Sequence, residues 1–195
     1  MLNFKESGLI FSFGRPWAVR KYDTHRFYQA LSGHGLKGVD FIGIAEGRLY
    51  LFEVKNYRRR QAWQRENPFD VVIAAPDELV GRVAGKVADS LRAVRAIGRY
   101  YERRWLLRLL RPVLLRLPAH WGDWPFWLQA YELCQGTGEQ VVAVLWLETE
   151  QERSRLRAQI LKGLRAALKG QVAEVALWPG GGQEERAGLL VRPMP

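Results

Sequence analysis

The residues with the most chemical potential are two acids and a lysine, Asp40, Glu53 and Lys55, set about a short turn. Asp40 opens the run DFIGIA, Glu46-Gly47 follows, and RLYLFEVKNY completes the unit. Both arms are rich in aliphatic and aromatic residues with a Gly between them, which predicts a β-hairpin. A two-residue loop at Glu46-Gly47 places Ile42 opposite Leu51 and Asp40 opposite Glu53. Opposed side chains share a face with their Cβ atoms ~5 Å apart. Lys55, two residues beyond Glu53, shares that face because strand side chains alternate. Ile42, Ile44, Leu49 and Leu51 lie on it nearer the turn, so the polar trio stands at the edge of an apolar layer. Such a loop needs positive φ at Glu46 as well as Gly47. A three-residue loop would shift the register by one and require a bulge.

Two carboxylates this close repel unless a positive group lies between them. A hard divalent cation, Mg²⁺ with Mn²⁺ as a substitute, is the natural occupant. Its bound water, lowered in pKa, can attack a phosphodiester, and Lys55 can orient that water or neutralise the developing charge. An exposed hairpin carrying an ordinary acid–lysine surface pair is the competing reading of the same residues.

The elements that must hold these groups are legible in outline. Residues 8–13 and Trp17–Tyr22 read as extended pieces, and Asp23 or Thr24 as the N-cap of a helix that stops at Gly33. Val71–Ala74 could be a short strand. Pro76-Asp77-Glu78 opens a long helix with a buried stripe at Val80, Ala84, Val87, Leu91, Val94 and Gly98. Residues 141–148 read as a fully buried strand, about 150–169 as a helix, and 172–178 and Gly188–Val191 as further strands. Strands alternating with helices predict an α/β (α+β) fold with a central mixed sheet flanked by helices. The length of 195 residues suits one domain, with a basic Leu/Trp-rich helical insertion at about 100–130.

At Gly38-Val39-Asp40, the apolar strand and turn after it, and Phe52-Glu53-Val54-Lys55, the chain resembles the PD-(D/E)xK, or restriction-endonuclease-like, nuclease superfamily. The resemblance covers about residues 20–100 and departs from the motif at Val39, where the name has Pro. It implies an α-β-β-β-α-β core and Mg²⁺-dependent cleavage of phosphodiesters, generally in DNA and sometimes in RNA. It also implies Asp40 and Glu53 as metal ligands with the main-chain carbonyl of Val54, and Lys55 as the catalytic lysine. Many members place another acid on the first helix. Asp23 is the candidate here, with the plain N-cap as its alternative; Glu6, the second candidate, reads as a solvated residue beside the first strand. The long helix lends such sites a polar residue, which points to Lys86, with Arg82 on the same stripe; a solvated Lys86–Asp89 pair is the alternative. Arg58, Arg59 and Arg60 could clamp substrate backbone or be a surface run.

Composition fits this reading. Net charge is +10, and 23 of the 30 basic residues are Arg, whose planar fork suits phosphate, although a GC-rich coding sequence also enriches Arg. Nucleic acid is therefore the expected partner, and the oligomeric state is open, a homodimer included. The single Cys134 excludes an internal disulfide framework and suits a cytoplasmic location. No run approaches the ~20 apolar residues of a membrane span. The rivals are a catalytically inactive nuclease-like fold that binds nucleic acid or a protein partner, and a membrane-surface protein anchored by residues 103–118. Trp121, Trp124 and Trp127 read as core, with base stacking as the alternative.

Overall fold

The computed structural model describes residues 1–33, 35–58, 75–135, 139–149, 154–180, 184–186 and 188–194. Its elements in chain order are β1 (Leu2–Glu6), β2 (Leu9–Phe13), β3 (Ala18–Lys21), α1 (Arg26–Ser32), β4 (Phe41–Ala45) and β5 (Arg48–Asn56). Then come α2 (Pro76–Arg103), α3 (Trp105–Leu114), a 3-10 turn (Ala119–Trp121), α4 (Asp123–Gln135), β6 (Val141–Glu148) and α5 (Ser154–Ala167). The chain ends with β7 (Glu174–Gly180), β8 (Glu184–Arg186) and β9 (Leu189–Pro193).

The strands form two sheets. A five-stranded mixed sheet has the order β3-β4-β5-β6-β7, antiparallel from β3 to β5 and parallel from β5 to β7. A four-stranded antiparallel sheet has the order β1-β2-β9-β8. The parallel pairings follow from chemistry: β6 is buried along its whole length, and alternate residues serve two cores. Val142, Val144 and Trp146 join Phe41, Phe52, Phe11, Phe13 and Val191 in an aromatic layer between the two sheets. Ala143, Leu145 and Leu147 face the other way, with Ile42, Ile44, Leu49 and Leu51, into a core closed by α2, α4 and α5. The molecule is thus sheet on sheet on helices, and the expected α+β class with a central mixed sheet is the one observed.

The β4–β5 hairpin has the expected register, with Ile42 opposite Leu51 and Ala45 opposite Arg48. Glu46 and Gly47 have φ of 50° and 70°, the two positive values a two-residue loop demands. Glu46 accepts the unfavourable conformation because both flanking strands are pinned by their neighbours.

Along the described residues of 18–148 the order is strand, helix, strand, strand, then the helices α2, α3 and α4 with the 3-10 turn among them, then strand. This departs from the expected α-β-β-β-α-β core, because β3 precedes the short helix and two further helices separate α2 from β6. The strand expected at Val71–Ala74 lies outside the described residues, as do Arg59 and Arg60. α2 buries Val80, Val83, Val87, Leu91, Val94 and Ile97 on one face, each worth about 1.5–3 kcal/mol on transfer from water. Residues 105–135 are joined to this core: Phe126, Trp127, Leu128 and Tyr131 of α4 pack within it. Trp121 and Trp124, expected in the core with Trp127, are instead exposed, because they lie at the 3-10 turn and the first turn of α4. Close approach of α4 to α2 needs Gly98, where an added Cβ would lie 2.1 Å from the Tyr131 ring.

Candidate active site

Asp40 sits at the mouth of β4, where its backbone already belongs to the sheet. Its N–H donates to Phe52 O at 2.9 Å, and its carbonyl accepts from Tyr22 N–H at 2.9 Å. The preceding loop is tied to α2 by side chains: Val39 N–H donates to the buried Ser90 Oγ at 3.0 Å, and Lys37 N–H to Asp89 Oδ2 at 3.1 Å. Asp89 also pairs with Arg92 at 3.1 Å. It is a support for the loop, and the alternative Lys86–Asp89 surface pair does not describe it.

The Asp40 side chain turns to the helix-covered face, and its Oδ2 accepts from Val54 N–H at 2.6 Å. Glu53 lies on the neighbouring strand, fully buried at 0% exposure. Lys55 Nζ donates to Glu53 Oε1 at 2.5 Å, and Lys86 Nζ reaches Oε1 and Oε2 at 2.8 and 3.0 Å. The same Lys86 ammonium stands 3.9 Å from Asp40 Oδ1, so one cation spans both carboxylates. Asp40, Glu53, Lys55 and Lys86 therefore converge, three of them from the hairpin and one from α2.

Two further acids join from the opposite side. One carboxylate oxygen from each of Glu6, Asp23 and Asp40 lies within 4.8 Å of the others, the separation that a shared metal ion could bridge. Glu6 arrives because the β1–β2 turn docks on the end of β5, where Asn56 Nδ2 donates to Ser7 O at 2.8 Å. Lys21 Nζ pairs with Glu6 at 2.9 Å and stands 3.9 Å from Asp23. Asp23 is not the cap of α1: Phe27 N–H donates instead to His25 Nδ1 at 3.3 Å. Its Oδ1 is buried and has no hydrogen-bond partner among the described residues.

The electrostatics follow from crowding. Burial, then the negative charge of Glu53, pushes the Asp40 carboxyl up to about 7, although the Val54 N–H and Lys86 pull the other way. Burial raises the Asp23 carboxyl, opposed by Lys21. Burial alone would lower the Lys86 ammonium, but Glu53 and Asp40 reverse that and raise it; Lys21 is raised in the same manner, chiefly by Glu6. Four carboxylates against three ammonium groups leave the cluster short of positive charge.

The remaining basic candidates stand elsewhere. Arg58 lies 3.0 Å from the buried Glu148 Oε2 at the end of β6, whose Oε1 accepts from Trp146 Nε1 at 3.0 Å. Arg82 is exposed beside Glu78, one helical turn back at 3.5 Å. Sequence reasoning underrated Glu6; the signal for it was Ser7-Gly8, a two-residue turn whose φ values of 50° and 81° place Glu6 at the tip of a hairpin.

No family model, curated protein or solved structure matches the chain.

Proposed function

We propose that the chain is a divalent-cation-dependent phosphodiesterase acting on nucleic acid, DNA rather than RNA. One observation carries the reading: the half-buried Glu6 and Asp23 carboxylates crowd about the buried Asp40, whose carboxyl is held up to about 7 by burial and by Glu53. The donor set suits a hard cation. All the groups are carboxylate oxygens, Asp23 Oδ1 has no hydrogen-bond partner among the described residues, and added positive charge relieves their repulsion.

Asp40, Asp23 and Glu6 would hold the cation; Glu53 and the Val54 carbonyl are added as ligands by the family resemblance alone. Bound Mg²⁺ or Mn²⁺ supplies Lewis-acid polarisation of the phosphoryl oxygen and a bound water of lowered pKa. The chain's own groups do the positioning. The Val54 N–H fixes the Asp40 carboxylate. Glu53, sealed from water, holds the Lys55 and Lys86 ammonium groups at the partly exposed rim, where charge develops on an entering phosphodiester.

One feature favours a binding-only role: two lysines already neutralise Glu53 without a metal. The two readings separate in a cleavage assay on labelled single- and double-stranded DNA with Mg²⁺ or Mn²⁺. The nuclease reading expects cleavage that EDTA, Asp40→Asn and Glu53→Gln each abolish while DNA retention persists. Retention without cleavage under every divalent ion would establish the binding role instead.

A further inference from the structure

We propose that the outward face of α3 docks on anionic phospholipid bilayers, a function separate from the acid cluster. α3 is apolar on two sides. Leu107 and Leu114 are buried against the body of the protein. Trp105, Leu109 and Val113, four residues apart in turn, form the opposite ridge, exposed at 76%, 69% and 54%, with Leu106 beside them. Residues three and four apart lie along one side of a helix, so this ridge is continuous. Water is a poor solvent for it, and a contiguous exposed apolar ridge on a folded chain marks an interaction surface.

Charge selects the partner. Residues 103–122 contain Arg103, Arg104, Arg108, Arg111 and Arg116 and no acid. Arg111 is occupied by Glu132 and Glu102, and Arg104 lies over the Tyr100 ring. Arg103, Arg108 and Arg116 make no ion pair among the described residues. A ridge of Trp and Leu bordered by Arg matches an interfacial helix, with its apolar side at the acyl boundary and its cations at lipid phosphates. A second copy fits poorly, because a two-fold contact would bring the same arginines face to face. No helix of the described residues is long and apolar enough to cross a membrane, so the mode is docking on the surface. The fold leaves room for both tasks: α2 separates Lys86 at the acid cluster from Tyr101 beside α3 by about 22 Å, at 1.5 Å per residue.

The test is co-sedimentation of the full chain with vesicles of phosphatidylcholine alone and of equal parts phosphatidylcholine and phosphatidylglycerol. Expected is stronger binding to the anionic vesicles than to phosphatidylcholine alone, falling in high salt toward the phosphatidylcholine level but not to zero, because apolar insertion is not screened. The double variant Trp105→Glu, Leu109→Glu should lose at least about tenfold in partitioning, with circular dichroism and DNA cleavage unchanged. Failure of the wild type to bind anionic vesicles, equal binding by the double variant, or complete loss in salt would overturn the proposal. So would a dimer in light scattering that the double variant converts to monomer, which assigns the ridge to a second copy.

Discussion

Replacing Asp40 by Asn should make the metal-free protein more stable while destroying its proposed activity. The carboxyl is pushed from its ordinary 3.8 to about 7, first by burial and then by Glu53. Between those values the native state holds a proton that the unfolded chain has released, so stability falls as pH rises from about 4 to 7 and then levels off. About three pKa units correspond to roughly 4 kcal/mol above pH 7. Asn keeps an oxygen to accept the Val54 N–H but carries no charge, and it gives up the weak Lys86 contact. The net gain at pH 8 should be about 2–4 kcal/mol, or roughly 5–15 °C in Tm for a chain of this size. The gain should vanish below pH 4, where both side chains are neutral. The assay is thermal unfolding by circular dichroism in EDTA across pH 4 to 8, repeated with Mn²⁺. The cation should raise the wild-type Tm by linkage and leave the variant unmoved. A variant less stable than wild type at pH 8, or a difference that ignores pH, would show that the Asp40 charge is not a burden on the fold.

Lys86→Met leaves the buried Glu53 with Lys55 as its remaining ammonium partner and should cost about 1–3 kcal/mol in urea unfolding. Because the Lys86 pKa is raised above 10.5, its contribution is complete below that pH and is lost as pH climbs through the raised value; the variant should lack this alkaline loss. Arg58→Ala removes the ion partner of Glu148 and should lower stability by about 1–3 kcal/mol, whereas a phosphate clamp would show a selective loss of DNA affinity. Gly98→Ala sets a Cβ against the Tyr131 ring; even with the helix-propensity gain of about 1 kcal/mol, a net loss of about 1–3 kcal/mol is expected, without change in cleavage at 25 °C.

The hairpin was legible because its signals are local: apolar runs, a Glu-Gly pair at the turn, and a loop length that fixes which residues face each other. Asp40, Glu53 and Lys55 inherit their convergence from that register alone. Lys86 was legible from α2's periodicity, which sets it off the buried stripe, but not its depth; that comes from α2 lying across the hairpin. Glu6 was not legible as a site residue. It depends on a turn docking against Asn56, 49 residues away in sequence, and on β2 pairing with β9 at the far end of the chain. Asp23 was ambiguous because the first turn of α1 offers several caps; the choice of His25 frees Asp23 for the acid cluster. The helical insertion expected at about 100–130 was not legible as separate helices: the apolar residues of α4 face several neighbours, so they leave no one-sided stripe.

The proposed activity requires these acids to share a divalent cation. Anomalous scattering from crystals soaked in Mn²⁺ tests it at the atoms concerned. A manganese peak should stand against the Asp40 carboxylate, bounded by Glu53, Asp23 or Glu6 and absent in Asp40→Asn crystals. A wild-type map with no peak there, and with the Lys86 ammonium still seated between Asp40 and Glu53 at saturating Mn²⁺, would contradict it.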